Sequence, residues 1–207
     1  MYVPPTFLLD DGALWAVVRD AGAGTLVVDG PHGLEGVFVP VVVSEDHRTV
    51  TAHVARANPW WRAVADGADV LAIFVAASAY VSPTFYPSRL EDPGVVPTWN
   101  YVSAHVRGRV RVHEDRSWLA HQVGVVTDQF ELDRTPRWRV EDSDPAYVAR
   151  LLGAIVGVEI DVTSIEGVAK LSQNRPPIDL DGVRQHLAEG GPFDQEVARR
   201  MKGRGRG

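Results

Sequence analysis

The sequence predicts a mainly β protein, an antiparallel barrel with peripheral α-helices, and three observations carry that expectation. Six strand-like runs outnumber the helical ones, at 24–28, 34–43, 48–54, 69–76, 98–113 and 157–165. Turn residues separate the early runs at hairpin spacing, in Asp29-Gly30-Pro31-His32-Gly33 and Ser44-Glu45-Asp46. Residues 98–113 alternate with a period of two. Asn100, Val102, Ala104, Val106, Gly108 and Val110 share one face; Tyr101, Ser103, His105, Arg107, Arg109 and Arg111 share the other. Short even strands with few helices favour a closed antiparallel sheet.

The elements follow in order. Residues 10–19 read as a short helix with an acidic first turn. Two hairpin-forming runs follow, and 48–54 pairs back. Asn58-Pro59 then opens a helix, the amide capping it and the proline filling its first position. Residues 69–76 form a buried strand. Pro83, Pro87, Pro93 and Pro97 punctuate a long loop rich in aromatics, and loops of that length in compact domains tend to be functional. The long strand 98–113 precedes helices at 117–130 and 145–156, a last strand at 157–165 and a helix near 181–188. Residues 1–190 are expected to form a single domain, with 191–207 a flexible Gly/Arg-rich tail.

A chain of 207 residues has room for one substantial core. The absence of cysteine excludes disulfides, thiolate zinc sites and thiolate-ligated or covalently attached haem. No apolar run reaches the roughly 20 residues of a membrane span, and the first residues lack a signal-peptide pattern; the expected location is cytoplasmic. The net charge of −6 argues against direct nucleic-acid binding, because a binder needs a basic face. Basic residues cluster only at Arg107, Arg109 and Arg111 and in the C-terminal tail.

Three separated segments combine aromatic rings with prolines, hydroxyls and amides: His53-Val54-Ala55-Arg56-Ala57-Asn58-Pro59-Trp60-Trp61, Ala79-Tyr80-Val81-Ser82-Pro83-Thr84-Phe85-Tyr86-Pro87-Ser88 and Val95-Val96-Pro97-Thr98-Trp99-Asn100-Tyr101. Aromatic faces beside a few fixed polar groups suit a pocket for a flat organic cofactor. In this order, with Met1-Tyr2-Val3-Pro4, residues 153–160 and Lys170-Leu171-Ser172-Gln173-Asn174-Arg175, the segments resemble the PaiB-type proteins, known as FMN-binding negative transcriptional regulators. The resemblance spans about residues 1–185. It implies an FMN-binding-type split β-barrel, homodimeric, with cofactor sites at the subunit interface. The same family includes haem-dependent piperazate synthases. Related sequences carry His where this chain has Phe38, and Trp-Lys where it has Ala169-Lys170.

His53 ends a strand just before an Arg-bearing turn. If haem binds, a histidine is its natural axial ligand, since cysteine is absent and Met1 and Met201 lie at the chain ends. His105 is the second candidate and, with Tyr101, a candidate catalytic residue. Arg56, Arg89 and Lys170 are candidates to hold an FMN phosphate, a haem propionate or a substrate carboxylate; Arg175 is a weaker fourth. Trp99 and Tyr80 offer aromatic walls, and Ser82 and Tyr86 belong to the proline-rich loop. Asn100 is harder to explain by packing, because a buried amide must find partners. Of Trp60 and Trp61, one is expected to pack inward.

The resemblance implies two functions. One is a haem b enzyme of the piperazate synthase kind, closing a nitrogen–nitrogen bond in an N-hydroxylated ornithine with loss of water, its substrate a small amino-acid-like molecule. The other is an FMN-binding regulator without catalytic activity. Both cofactors are planar, apolar at the centre and anionic at the edge, so the residues alone suit either.

Overall fold

A computed structural model of the chain describes residues 1–64 and 67–202. They fall into two compact units, described separately. The first comprises residues 1–21, 74–104 and the described part of 166–207; the second comprises residues 22–73 and 105–165. The strands are β1 (Ala23–Gly30), β2 (Gly33–Pro40), β3 (Val42–Val43), β4 (Thr49–Ala55), β5 (Asp69–Val81), β6 (Thr98–His113) and β7 (Ile155–Lys170). They form a seven-stranded sheet in the order β2-β1-β5-β6-β7-β4-β3. β1 pairs antiparallel with β2 and β5, and β4 with β3 and β7.

In the second unit, β1 and β2 make a hairpin whose register closes on Gly30 opposite Gly33. Gly33 has φ +105°, a conformation that side chains disfavour. Alternating residues of β4 and β7, among them Val50, Ala52, Val54, Val156, Val158 and Ile160, enter the core. Helix α3 (Arg116–Glu131) starts at Asp115, whose carboxylate accepts the backbone N–H groups of Ser117 and Trp118 at 3.0 and 2.9 Å. Helix α4 (Pro145–Leu152) is capped by Asp144 in the same way. The short helix α2 (Trp60–Ala63) follows Asn58, whose side chain accepts the N–H of Trp60 at 3.0 Å; Trp60 packs inward.

In the first unit, helix α1 (Asp11–Ala21) buries Leu14, Trp15, Val17 and Val18. Helices α5 (Pro177–Ala188) and α6 (Pro192–Met201) form a hairpin. The proline-rich loop is built from two 3-10 turns, Pro83–Phe85 and Pro87–Leu90. Gly182 on α5 lets this loop approach, because a Cβ there would lie 2.4 Å from the Phe85 carbonyl oxygen.

The structure departs from the sequence expectation in several places. Among the described residues the strands number seven, because the run expected at 34–43 divides into β2 and β3. The helix expected to reach residue 156 stops at Leu152; Gly153 caps it, and β-branched Ile155 and Val156 open β7 instead. β5 and β7 extend to Val81 and Lys170, past the expected ends at 76 and 165. Within the stretch read as a flexible tail, 192–201 is helix α6. Proline fills its first turn, the Asp194 carboxylate accepts the N–H of Gly191 at 3.1 Å, and Val197, Ala198 and Met201 are buried. Residues 203–207 of that tail lie outside the described residues. No helix among the described residues is long and apolar enough to cross a membrane.

Candidate functional site

In the first unit the candidate residues gather where β5 ends, β6 begins and β7 turns. Period-two alternation sends Asn100 inward and leaves Trp99 outward at 54 % exposure. Tyr80, near the end of β5, is 48 % exposed and meets Trp99 edge to face, with ring centroids 6.3 Å apart. Lys170 closes β7, and its ammonium donates to the Thr98 hydroxyl. The turn that follows is held by Gln173, whose amide oxygen accepts the N–H of Leu171 at 2.6 Å while its nitrogen donates to the carbonyls of Ala169 and Thr6. That turn brings Arg175 back over the Tyr86 ring, 4.7 Å from its centroid.

The electrostatics of this corner are lopsided. Burial, and after it the charge of Arg175, pushes the Lys170 amine below the ordinary lysine value. Burial raises the Tyr86 phenol, and Arg175 opposes the rise. Among the described residues neither Lys170 nor Arg175 has a carboxylate within ion-pair distance; the nearby Asp179 is bound by the backbone and hydroxyl of Ser88, at 3.1 and 2.7 Å. Two cations beside a neutral hydroxyl and two exposed aromatic rings make a surface for a flat anion.

Three of the other candidates here, Asn100, Ser82 and Arg89, have structural partners. Asn100 is fully buried: its amide nitrogen donates to the Ser172 hydroxyl at 2.9 Å, and that hydroxyl donates back to the amide oxygen at 3.0 Å. Ser82 caps the first 3-10 turn by accepting the N–H of Thr84. The Arg89 guanidinium donates to the carbonyl of Tyr86 at 3.0 Å. Tyr101 is half-buried on the outward face of β6.

The second unit holds His53, Arg56 and His105. His53, on β4, presents Nδ1 to the Gln122 amide oxygen at 2.8 Å and lines a cavity of about 600 Å³. Val123, Trp138, Tyr147, Leu151 and Ile155 supply most of its apolar wall. Arg56 is engaged on all sides: it pairs with Glu114 and donates to the carbonyls of Gly153 and Ile155 at 3.0 and 3.1 Å. This clamp ties the turn after β4 to the start of β7. Trp61 adds to it, donating to the Arg56 carbonyl at 2.9 Å. His105 is half-buried on β6. Phe38, where related sequences carry His, stands 71 % exposed on β2. Among the described residues no group of three or more His, Asp or Glu side chains could hold a metal ion.

Sequence reasoning did not single out Thr98, Gln173 or Gln122 as anchors. Gln122 had a readable signal, since Trp118, Gln122 and Val126 share one helical face on which an amide is out of place. Thr98 carried none beyond its neighbour Trp99.

Comparison with known proteins agrees with this architecture. The family described as "Putative FMN-binding domain" matches residues 1–164. Protease synthase and sporulation protein PAI 2 of Bacillus subtilis is 31 % identical over 206 residues, covering 98 % of this chain and 97 % of that protein. The FAD and haem binding protein of Mycobacterium smegmatis shares the fold at TM-score 0.61 and 18 % identity, covering 90 % of this chain and 80 % of that one. Flavocytochrome Anf3 of Azotobacter vinelandii does so at TM-score 0.58 and 11 % identity, covering 77 % and 67 %. This chain belongs to the FMN-binding-domain family of PaiB-type split β-barrel proteins.

Proposed function

We propose that the chain binds FMN in the unit that holds Lys170, with the phosphate at Lys170, Thr98 and Arg175 and the flavin ring against Trp99 and Tyr80. The observation that carries this reading is the pair of cations in one partly desolvated corner without a carboxylate partner among the described residues. Like charges held together out of water disfavour each other, and a dianion offsets that cost. Bound FMN supplies one- or two-electron transfer. The chain's own residues fix its position: Gln173 holds the turn that carries Arg175, and Trp99 and Tyr80 limit water at the ring. A regulatory role would act through a protein partner, given the net charge of −6.

One observation favours the haem reading and the piperazate synthase-like cyclisation that goes with it. The Gln122 oxygen accepts from His53 Nδ1, which leaves Nε2 as the lone-pair nitrogen that an axial ligand needs. Arg56, expected as a propionate partner, already has a partner at each guanidinium nitrogen.

The absorption spectrum of the purified protein separates the readings. We expect added FMN to bind with a shifted flavin doublet, and Lys170→Met to weaken it roughly 10- to 100-fold, the effect of one charge-assisted hydrogen bond. Equal FMN affinity in Lys170→Met would sink the phosphate assignment. A Soret band lost in His53→Ala would replace FMN with haem.

A further inference from the structure

We propose that the cavity beside His53 is a separate ligand site for a small, uncharged, mainly apolar molecule that donates one hydrogen bond to the imidazole. The proposal does not rest on the FMN reading, since every residue it uses lies in the other unit. At about 600 Å³ the cavity falls in the size range of small-molecule sites. Its wall is apolar apart from His53, Ser143 and the Tyr147 hydroxyl, and no Asp, Glu, Lys or Arg lines it. An ionised ligand would therefore leave its charge unpaired in an apolar wall, which is costly. Arg56, in the turn just after the strand that carries His53, has a partner at each guanidinium nitrogen, in Glu114 and two backbone carbonyls.

The hydrogen-bonding sense of the site follows from Gln122. This side chain is 3 % exposed on α3 and offers its carbonyl oxygen to His53 Nδ1 at 2.8 Å. Nδ1 therefore carries the proton and Nε2 is an acceptor, with no partner of its own among the described residues. The ring is thus a fixed acceptor on a mostly apolar wall, which favours a hydroxyl or N–H donor. Helix α4 contributes Tyr147, Val148, Leu151 and Leu152 to the cavity, and none of the helix's residues is buried. Protein atoms leave this apolar face partly uncovered, so a ligand seated on it would remove apolar area from water.

The test titrates the full chain with 2-naphthol, with 2-methoxynaphthalene, which has the same rings but no donor, and with 2-naphthoate, which is charged. Quenching of Trp138 is the readout, with Trp138→Phe identifying its share of the signal. We expect saturable one-to-one binding of 2-naphthol. Binding of 2-methoxynaphthalene to the wild type, and of 2-naphthol to His53→Phe, should each be about five- to tenfold weaker, the effect of one hydrogen bond. Val148→Trp should abolish binding by filling the cavity. Melting curves check that each variant folds, and Leu151→Trp serves as the filling variant if Val148→Trp does not. Non-saturable quenching, or equal affinity for the three probes, would overturn the proposal. So would a Soret band with added haemin that His53→Phe loses. So would a change of molecular mass in Val148→Trp with no probe binding to the wild type, which would make a second copy the occupant.

Discussion

Replacing Asn100 by Ala tests whether this residue holds the fold or the cofactor. Asn100 is fully buried, both ends of its amide are bonded to Ser172, and Ser172 is 4 % exposed. Truncation removes the two neutral hydrogen bonds to Ser172, worth about 1 kcal/mol each, with a weak third one to the Met201 sulfur at 3.8 Å, and strands a buried hydroxyl at about 1–3 kcal/mol. These overlap, so the expected loss is about 2–4 kcal/mol. For a domain of this size each 1 kcal/mol moves the melting temperature by about 2–4 °C, which gives a fall of about 5–15 °C by calorimetry. Ser172→Ala should lose a similar amount. The double variant should cost little more than either single one, because both remove the same pair. Flavin affinity per folded molecule should stay within about twofold of wild type. An unchanged melting temperature with lost flavin binding would refute the reasoning and return Asn100 to the cofactor.

Other outcomes follow from the same geometry. Lys170 is pushed below the ordinary lysine value, so FMN affinity, present while the amine is charged, should fall as pH rises through that lowered value. Lys170→Arg should shift the fall upward, and affinity that is flat through the range where ordinary lysines titrate would contradict the assignment. A Cβ at Gly157 would lie 2.1 Å from the Trp118 ring, which stacks on His113 at 4.1 Å. Gly157→Val should therefore cost about 1–3 kcal/mol in a urea titration, and full stability would show that the ring moves freely. We also expect a homodimer, motivated by the exposed Leu34 and Phe38 on β2, with an interface on the order of 2,000 Å². A monomeric mass by light scattering at micromolar concentration would exclude it.

Features that depend on neighbouring residues alone were legible before the fold was known. Alternation over 98–113 placed β6 with the bounds it has, and with Asn100, Val102, Ala104, Val106, Gly108 and Val110 buried on one face, because side-chain period is a property of the strand alone. Asn58 and Pro59 marked the start of α2, and the ordered motifs marked the family. What the sequence left open depended on partners distant along the chain. Asn100 stood out as a buried amide, yet only the fold supplies Ser172, 72 residues away. Arg56 read as an anion binder, and only the fold supplies the partners of its three nitrogens, Glu114 and the carbonyls of Gly153 and Ile155. His53 gained its tautomer from Gln122, 69 residues on. Lys170 and Arg175 became one corner through a turn whose hydrogen bonds Gln173 supplies. α6 was unreadable because a short, Arg-rich segment is stable as a helix only once Val197, Ala198 and Met201 are buried. A side chain's type is written in the sequence, but whether its hydrogen bonds and charge are spent or available is settled by its neighbours in space.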